Sequence, residues 1–198
     1  PDLKVNAKQL PDGSRMNANE IMDEHRRAKD IPHRAREKAG EELEKILKPL
    51  EDAKDMMLFE RLVITKDLIA TASDGMAVPN DVSLEELMLE HDRIVDFASK
   101  RIMKAADLHR RLMKQHGEEL VGRGKIGEAR EDYFPHKVLQ YYNDYGSGGT
   151  GGSRLKEPFR PYTKARLGSE KLIKTDYLDT ILGHLQKYHA DNMYDNFV

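Results

Sequence analysis

Cysteine is absent from the 198 residues. That excludes disulfides and every thiolate chemistry, catalytic or metal-binding, and it makes a small oxidised scaffold unnecessary, so an intracellular setting is the expectation. No apolar run approaches the roughly 18 to 20 residues needed to cross a bilayer, and no signal-peptide pattern opens the chain; no membrane partner is expected. Net charge is also missing: 33 Lys and Arg stand against 35 Asp and Glu, with 34% of residues charged. Such a balance describes a well-solvated surface rather than a global polycation, so any basic site must be local. The first residue is Pro1 instead of methionine, which reads as a fragment of something longer.

Signatures of chemistry are equally scarce. There is no His-Glu-x-x-His, no acidic calcium loop and no paired Glu-x-x-His, so no metal and no cofactor is expected. His109 and His116 are seven apart, and His184 and His189 five apart, which is poor spacing for joint coordination. His91 reads as a hydrogen-bonded seam histidine. No Gly-x-Ser-x-Gly occurs, and Gly122-Arg123-Gly124-Lys125-Ile126-Gly127 has neither the preceding strand nor the spacing of a phosphate loop.

What is present is helical periodicity. Ser83 and Glu86 have capping-box form, and Leu84, Leu87, His91, Ile94, Ala98, Ile102, Ala105, Leu108 and Leu112 follow at steps of three and four. The spacing predicts one helix over 83–117, about 50 Å long at 1.5 Å per residue. Leu43, Ile46, Leu50, Ala53, Met57, Ile64 and Leu68 predict another over 41–73, kinked or restarted at Pro49 and ended by Ser73-Asp74-Gly75 and Pro79-Asn80-Asp81. Two such segments joined by a short link should fold back as a long antiparallel helical hairpin. Asn17 and Glu20 cap a shorter helix expected to stop at Ile31-Pro32, and Thr175-Asp176 open a last one through Tyr177, Ile181, Leu182, Leu185, Tyr188 and Met193. A short helix is expected through Val138, Leu139, Tyr141 and Tyr142. The fold class is therefore all-α.

Residues 146–153, Gly-Ser-Gly-Gly-Thr-Gly-Gly-Ser, form a tether with no side chain able to pack, of a composition that designers choose. An engineered replacement for a loop is the expectation. The organisation is then an extended arm over 1–15, a hairpin domain over 16–145, the linker, and a basic loop with a helix over 154–198 that packs on the same domain.

Segment 154–174 sets Arg154, Lys156, Arg160, Lys164, Arg166, Lys171 and Lys174 against Glu157 and Glu170. Such a loop could grip nucleic-acid phosphates, with Phe159 or Tyr162 stacking on bases; of its cations Arg154, Arg160, Lys164, Arg166 and Lys171 are the candidate anion ligands. The competing reading pairs these cations with the acidic helix faces around Glu41, Glu42, Glu85, Glu86 and Glu90. A polar cluster of Tyr133, His136 and Asp176 with Arg160 and Arg166 would be the site of an enzyme fragment, provided the side chains converge.

The run Arg130-Glu131-Asp132-Tyr133-Phe134-Pro135-His136-Lys137-Val138-Leu139, then Pro158-Phe159-Arg160, Lys164-Ala165-Arg166-Leu167-Gly168-Ser169 and Thr175-Asp176-Tyr177-Leu178, resembles helical segments of large multidomain polyvalent proteins of phages and related mobile elements. The resemblance covers about 128–198. It implies a virion-associated or co-injected module, located in the virion or the host cytoplasm, and it assigns no catalytic residue. The first functional expectation is accordingly a non-enzymatic structural and protein-interaction module, with a protein partner or the rest of a larger polyprotein, and homo-oligomers through the hairpin faces. Nucleic-acid binding through 154–174 is the alternative.

Overall fold

The computed structural model describes residues 18–78, 82–135 and 176–195. The arm 1–15, the Asn17 cap, the helix expected after Val138, the linker 146–153 and the basic segment 154–174 lie outside the described residues. Among the described residues the chain is all-α: α1 is Ala18–Leu47, α2 Ala53–Ser73, α3 Leu84–Phe97, α4 Lys100–Gly122 and α5 Tyr177–Asp195. The described residues fall into two compact units, 18–41 with 183–195, and 42–78 with 82–135 and 176–182.

In the first unit, Ile31, Ala35 and Ala39 are buried on α1 at steps of four, one face of a helix. That stripe runs straight past Pro32. The helix expected to stop at Ile31-Pro32 instead continues to Leu47, with Pro32 inside it and exposed. An interior proline costs about 3 kcal/mol or more of helix stability; the buried stripe that begins at Ile31 and continues through Ala35 and Ala39 offsets part of that cost. Leu185, Tyr188 and His189 are the buried residues of the α5 portion.

In the second unit, α2 is the core helix. Leu58, Phe59, Leu62, Val63, Ile64, Thr65, Asp67 and Thr71 are all buried, covering most of its circumference, which is the pattern of a helix surrounded by others. Both α3 and α4 pack against it. Its start is set by Asp52, whose side chain accepts the Asp55 N–H at 2.8 Å, after the chain restarts beyond Pro49 as expected. Its end is set by Gly75 at φ 71°, where the Met76 N–H reaches back to the Thr71 carbonyl at 3.1 Å and satisfies a terminal acceptor.

The long hairpin arm over 83–117 is not formed as one helix. The Ser83 and Glu86 capping box is present, but α3 ends at Phe97 and Ala98 is extended at φ −73°, ψ 124°. Ser99 then accepts the Ile102 N–H at 3.3 Å and starts α4. Residue pairing shows that the chain reverses there. Arg61 on α2 bridges Glu90 on α3, Arg101 at the head of α4 bridges Glu51 at 2.8 Å and Asp55 at 3.3 Å, and Val63, Lys66, Ala106 and His109 lie around one recess. Hence α3 runs antiparallel to α2 and α4 parallel to it. Three helices, up, down and up, replace the two expected arms.

The reversal also reassigns the α4 stripe. Its buried residues are Ile102, Ala105, Ala106, His109, Met113, His116 and Leu120, so the face turns away from Leu108 and Leu112 and takes in two histidines. Nor does α4 end at Gly117. It continues to Gly122, and Gly117 serves a close approach: a Cβ there would stand 2.8 Å from the Ala129 Cβ of the returning chain.

Candidate functional site

The chain beyond α4 forms a strap over 123–135 that is fixed to α2 and α4 at successive residues. Arg130 bridges Asp74 at the end of α2. Glu131 accepts from Lys114 of α4 at 2.5 Å, which holds its carboxyl below the usual range through that hydrogen bond and the lysine charge. Phe134 is wholly buried, and its N–H donates to Asp67 Oδ1 at 3.0 Å. The Tyr133 carbonyl, one residue earlier, accepts from His109 Nε2 at 3.1 Å.

His109 is the centre of the cluster. A carbonyl oxygen can only accept, so Nε2 carries the imidazole proton. Its Nδ1, 2.8 Å from the Tyr177 hydroxyl, is consequently the acceptor of the Tyr177 O–H. Both ring nitrogens are thereby satisfied in the neutral form. Burial drives the imidazole down to about 4 from 6.5, against smaller opposing effects from the Tyr133 carbonyl and the Asp67 charge. Tyr177 is pushed well above the ordinary phenol value, first by burial and then by the nearby Glu60 charge.

Aromatic packing fixes the tyrosine. Its ring meets Phe59 edge-on at 4.7 Å, His109 edge-on at 5.4 Å, and stacks over Phe134 at 6.1 Å. At the start of α5, Glu60 accepts the Tyr177 N–H at 3.3 Å, and Asp176 accepts the Asp179 N–H at 3.0 Å as a helix cap. Burial raises the Glu60 carboxyl, the Tyr177 N–H lowers it, and the Asp176 charge raises it. The recess beside His109, bounded by Val63, Lys66, Ala106 and Asp132, has room for about one water. Chemically, the neutral His109 joins α4 to the strap and to the first turn of α5, and the Asp67 and Glu60 carboxylates join α2 to the same two segments; in an apolar setting such bonds are electrostatically strong.

Of the residues singled out in the sequence, Tyr133 and Asp176 fall within this region, but neither as expected: the backbone carbonyl of Tyr133 carries its bond to His109, and Asp176 caps a helix while exposed. His136, Arg154, Arg160, Lys164, Arg166 and Lys171 lie outside the described residues. Of the acidic residues, Glu86 closes its own cap with Ser83, and Glu90 faces Arg61. His116 lies 3.4 Å from Glu42. Sequence reasoning missed His109, Asp67 and Tyr177 as a set. The signal for His109 is its place four residues after Ala105 and four before Met113, on a stripe whose other members, His116 apart, are apolar.

The chain matches no protein-family model, no curated protein and no solved structure.

Proposed function

We propose that this chain is a helical structural and protein-interaction module of a larger, phage-derived protein. The observation that carries the reading is Phe97, which is 78% exposed at the α3–α4 reversal. A single exposed apolar side chain needs no explanation, whereas exposed apolar side chains grouped together mark interaction surfaces. Met57 is also exposed; it lies on α2 between Asp55, bridged to Arg101, and Arg61, bridged to Glu90, hence at the level of the reversal. Met88 and Leu89 on α3 are half in solvent as well. By contrast, the buried polar groups around His109 are occupied with one another. The resemblance of 128–198 to phage polyvalent proteins supports the same reading.

The test is a photoreactive phenylalanine analogue placed at position 97 of the full chain, with the same analogue at Glu118, an exposed position near the far end of α4, as control. Irradiated in an extract of cells producing the phage parent, position 97 should give one discrete protein adduct, and Met57→Asp should remove it. Identical adducts at both positions would refute the reading.

Seven cations against two anions in 154–174 favour a second reading, contact with nucleic-acid phosphates. Salt-sensitive binding of labelled DNA or RNA, weakened by changing Arg160, Lys164 and Arg166 to Ala, is its expected signature. Absence of binding at low salt removes it.

A further inference from the structure

The His109 cluster is the point at which three segments distant in sequence are held by one side chain. Its imidazole takes the Tyr177 hydroxyl on one nitrogen and the Tyr133 carbonyl on the other, and it is 3% exposed. The Tyr133 bond is made by Nε2–H in either protonation state, whereas the Tyr177 bond, in which Nδ1 accepts, is complete only for the neutral ring. A second proton on Nδ1 turns an acceptor into a donor aimed at a hydroxyl that was donating, so Tyr177 O–H must rotate away and the new charge remains in the core.

We propose that His109 is an acid-sensitive latch: protonation of its Nδ1 releases the first turn of α5 from the α2–α4 pair.

The charged groups facing the latch do not neutralise it. From α2, Asp67 is buried and favours the imidazolium, but its Oδ1 already holds the Phe134 N–H. Lys66, also on α2, borders the recess and repels a cation, while Asp132 borders it from the strap. From α2 toward α5, Glu60 holds the Tyr177 N–H beside Asp176. From α4, Arg110, the next residue along, is turned to Asp107 and Glu131 on the surface. Burial outweighs these charges and drives the ring down to about 4.

The sign follows. In the latched state the ring binds fewer protons than in the open state, so the latch is fully closed above 6.5, loosens as pH falls from 6.5 to 4, and loses nothing further from this group below 4. Each pH unit in that window favours the open state about tenfold, roughly 300-fold in all.

Hydrogen exchange on the full chain, corrected for intrinsic rates, reads this directly. Between pH 6.5 and 4, opening at residues 177–182 should rise by about two orders of magnitude, while strap residues 131–134, whose bonds to His109 Nε2, Asp67 and Lys114 do not involve Nδ1, and α2 residues 58–65 change far less. His109→Gln offers an amide that can donate to Tyr133 and accept from Tyr177 without titrating, and it should flatten the dependence; whatever slope survives belongs to Glu60, Asp67, Asp132 and Asp176. Should His109→Gln fail to fold, the imidazole of the unaltered protein is followed by NMR, and a titration near 4 supports the latch. A folded-state titration near 6.5, or an undiminished slope in His109→Gln, overturns it.

Discussion

Asp67 shows how a single side chain can hold a segment that has little helix of its own. It is wholly buried on α2, and its carboxylate is the acceptor for the Phe134 N–H, so removing it strands a backbone donor in the core. Leaving such a group unmet costs about 1–3 kcal/mol. Asp67→Ala should lower stability in urea denaturation by that amount, whereas Asp67→Asn, which keeps an acceptor oxygen, should cost less. Equal losses in the two variants would show that the charge beside His109, rather than the bond to Phe134, is what matters. This cluster was hardly legible in the sequence. Tyr133 is a candidate for its phenol, yet its bond to His109 is made by its carbonyl, and backbone atoms leave no trace in residue type. His109 stands seven residues from His116, poor spacing for joint metal coordination, and the stripe expected from the sequence runs through Leu108 and Leu112 and passes it by. Tyr177 was recognised as an apolar position of α5; that its hydroxyl would meet a histidine 68 positions earlier requires the strap and three helices to be in place.

At the scale of elements, capping decided what periodicity could not. The 3–4 spacing continues without interruption from Leu87 through Ile94, Ala98, Ile102 and Ala105, and a pattern of that kind is satisfied equally by one helix or by two whose phases agree. The reversal is set by Ser99, whose hydroxyl competes for the Ile102 N–H and makes an extended Ala98 tolerable. Ser99→Ala should cost about 1 kcal/mol, measured as a drop in the denaturation midpoint at unchanged slope. No loss would mean that packing of Arg101 against Glu51 and Asp55 alone fixes the turn. Elsewhere the local signals were sufficient: the capping box at Ser83, the stop at Ser73-Asp74-Gly75 and the restart after Pro49 all occur where the residue chemistry placed them. Pro32 and Gly117 misled for one reason. Both are read as terminators when taken locally, yet one is carried by a buried stripe and the other makes room for Ala129.

Within residues 42–182 the helices differ in how much of their circumference the core claims, and this should order their opening. On α2 nine residues are buried, on α3 only Leu87 and Ile94, so local exposure of α3 gives up far less apolar surface. At about 25 cal/mol per Å2 of apolar area, the difference between several large side chains and two amounts to multiple kcal/mol, more than the contribution of a good cap. Native-state hydrogen exchange at pH 7 should therefore find the amides of 58–65 exchanging only through global unfolding, with those of 87–95 exchanging through a smaller opening of lower free energy. Denaturant separates the two modes, because a global event carries the full dependence on urea and a local one carries little. If α3 amides shared both the free energy and the urea dependence of α2, the three helices would form one cooperative unit, and Phe97 with Met88 and Leu89 would be displayed on a rigid face instead of a yielding one.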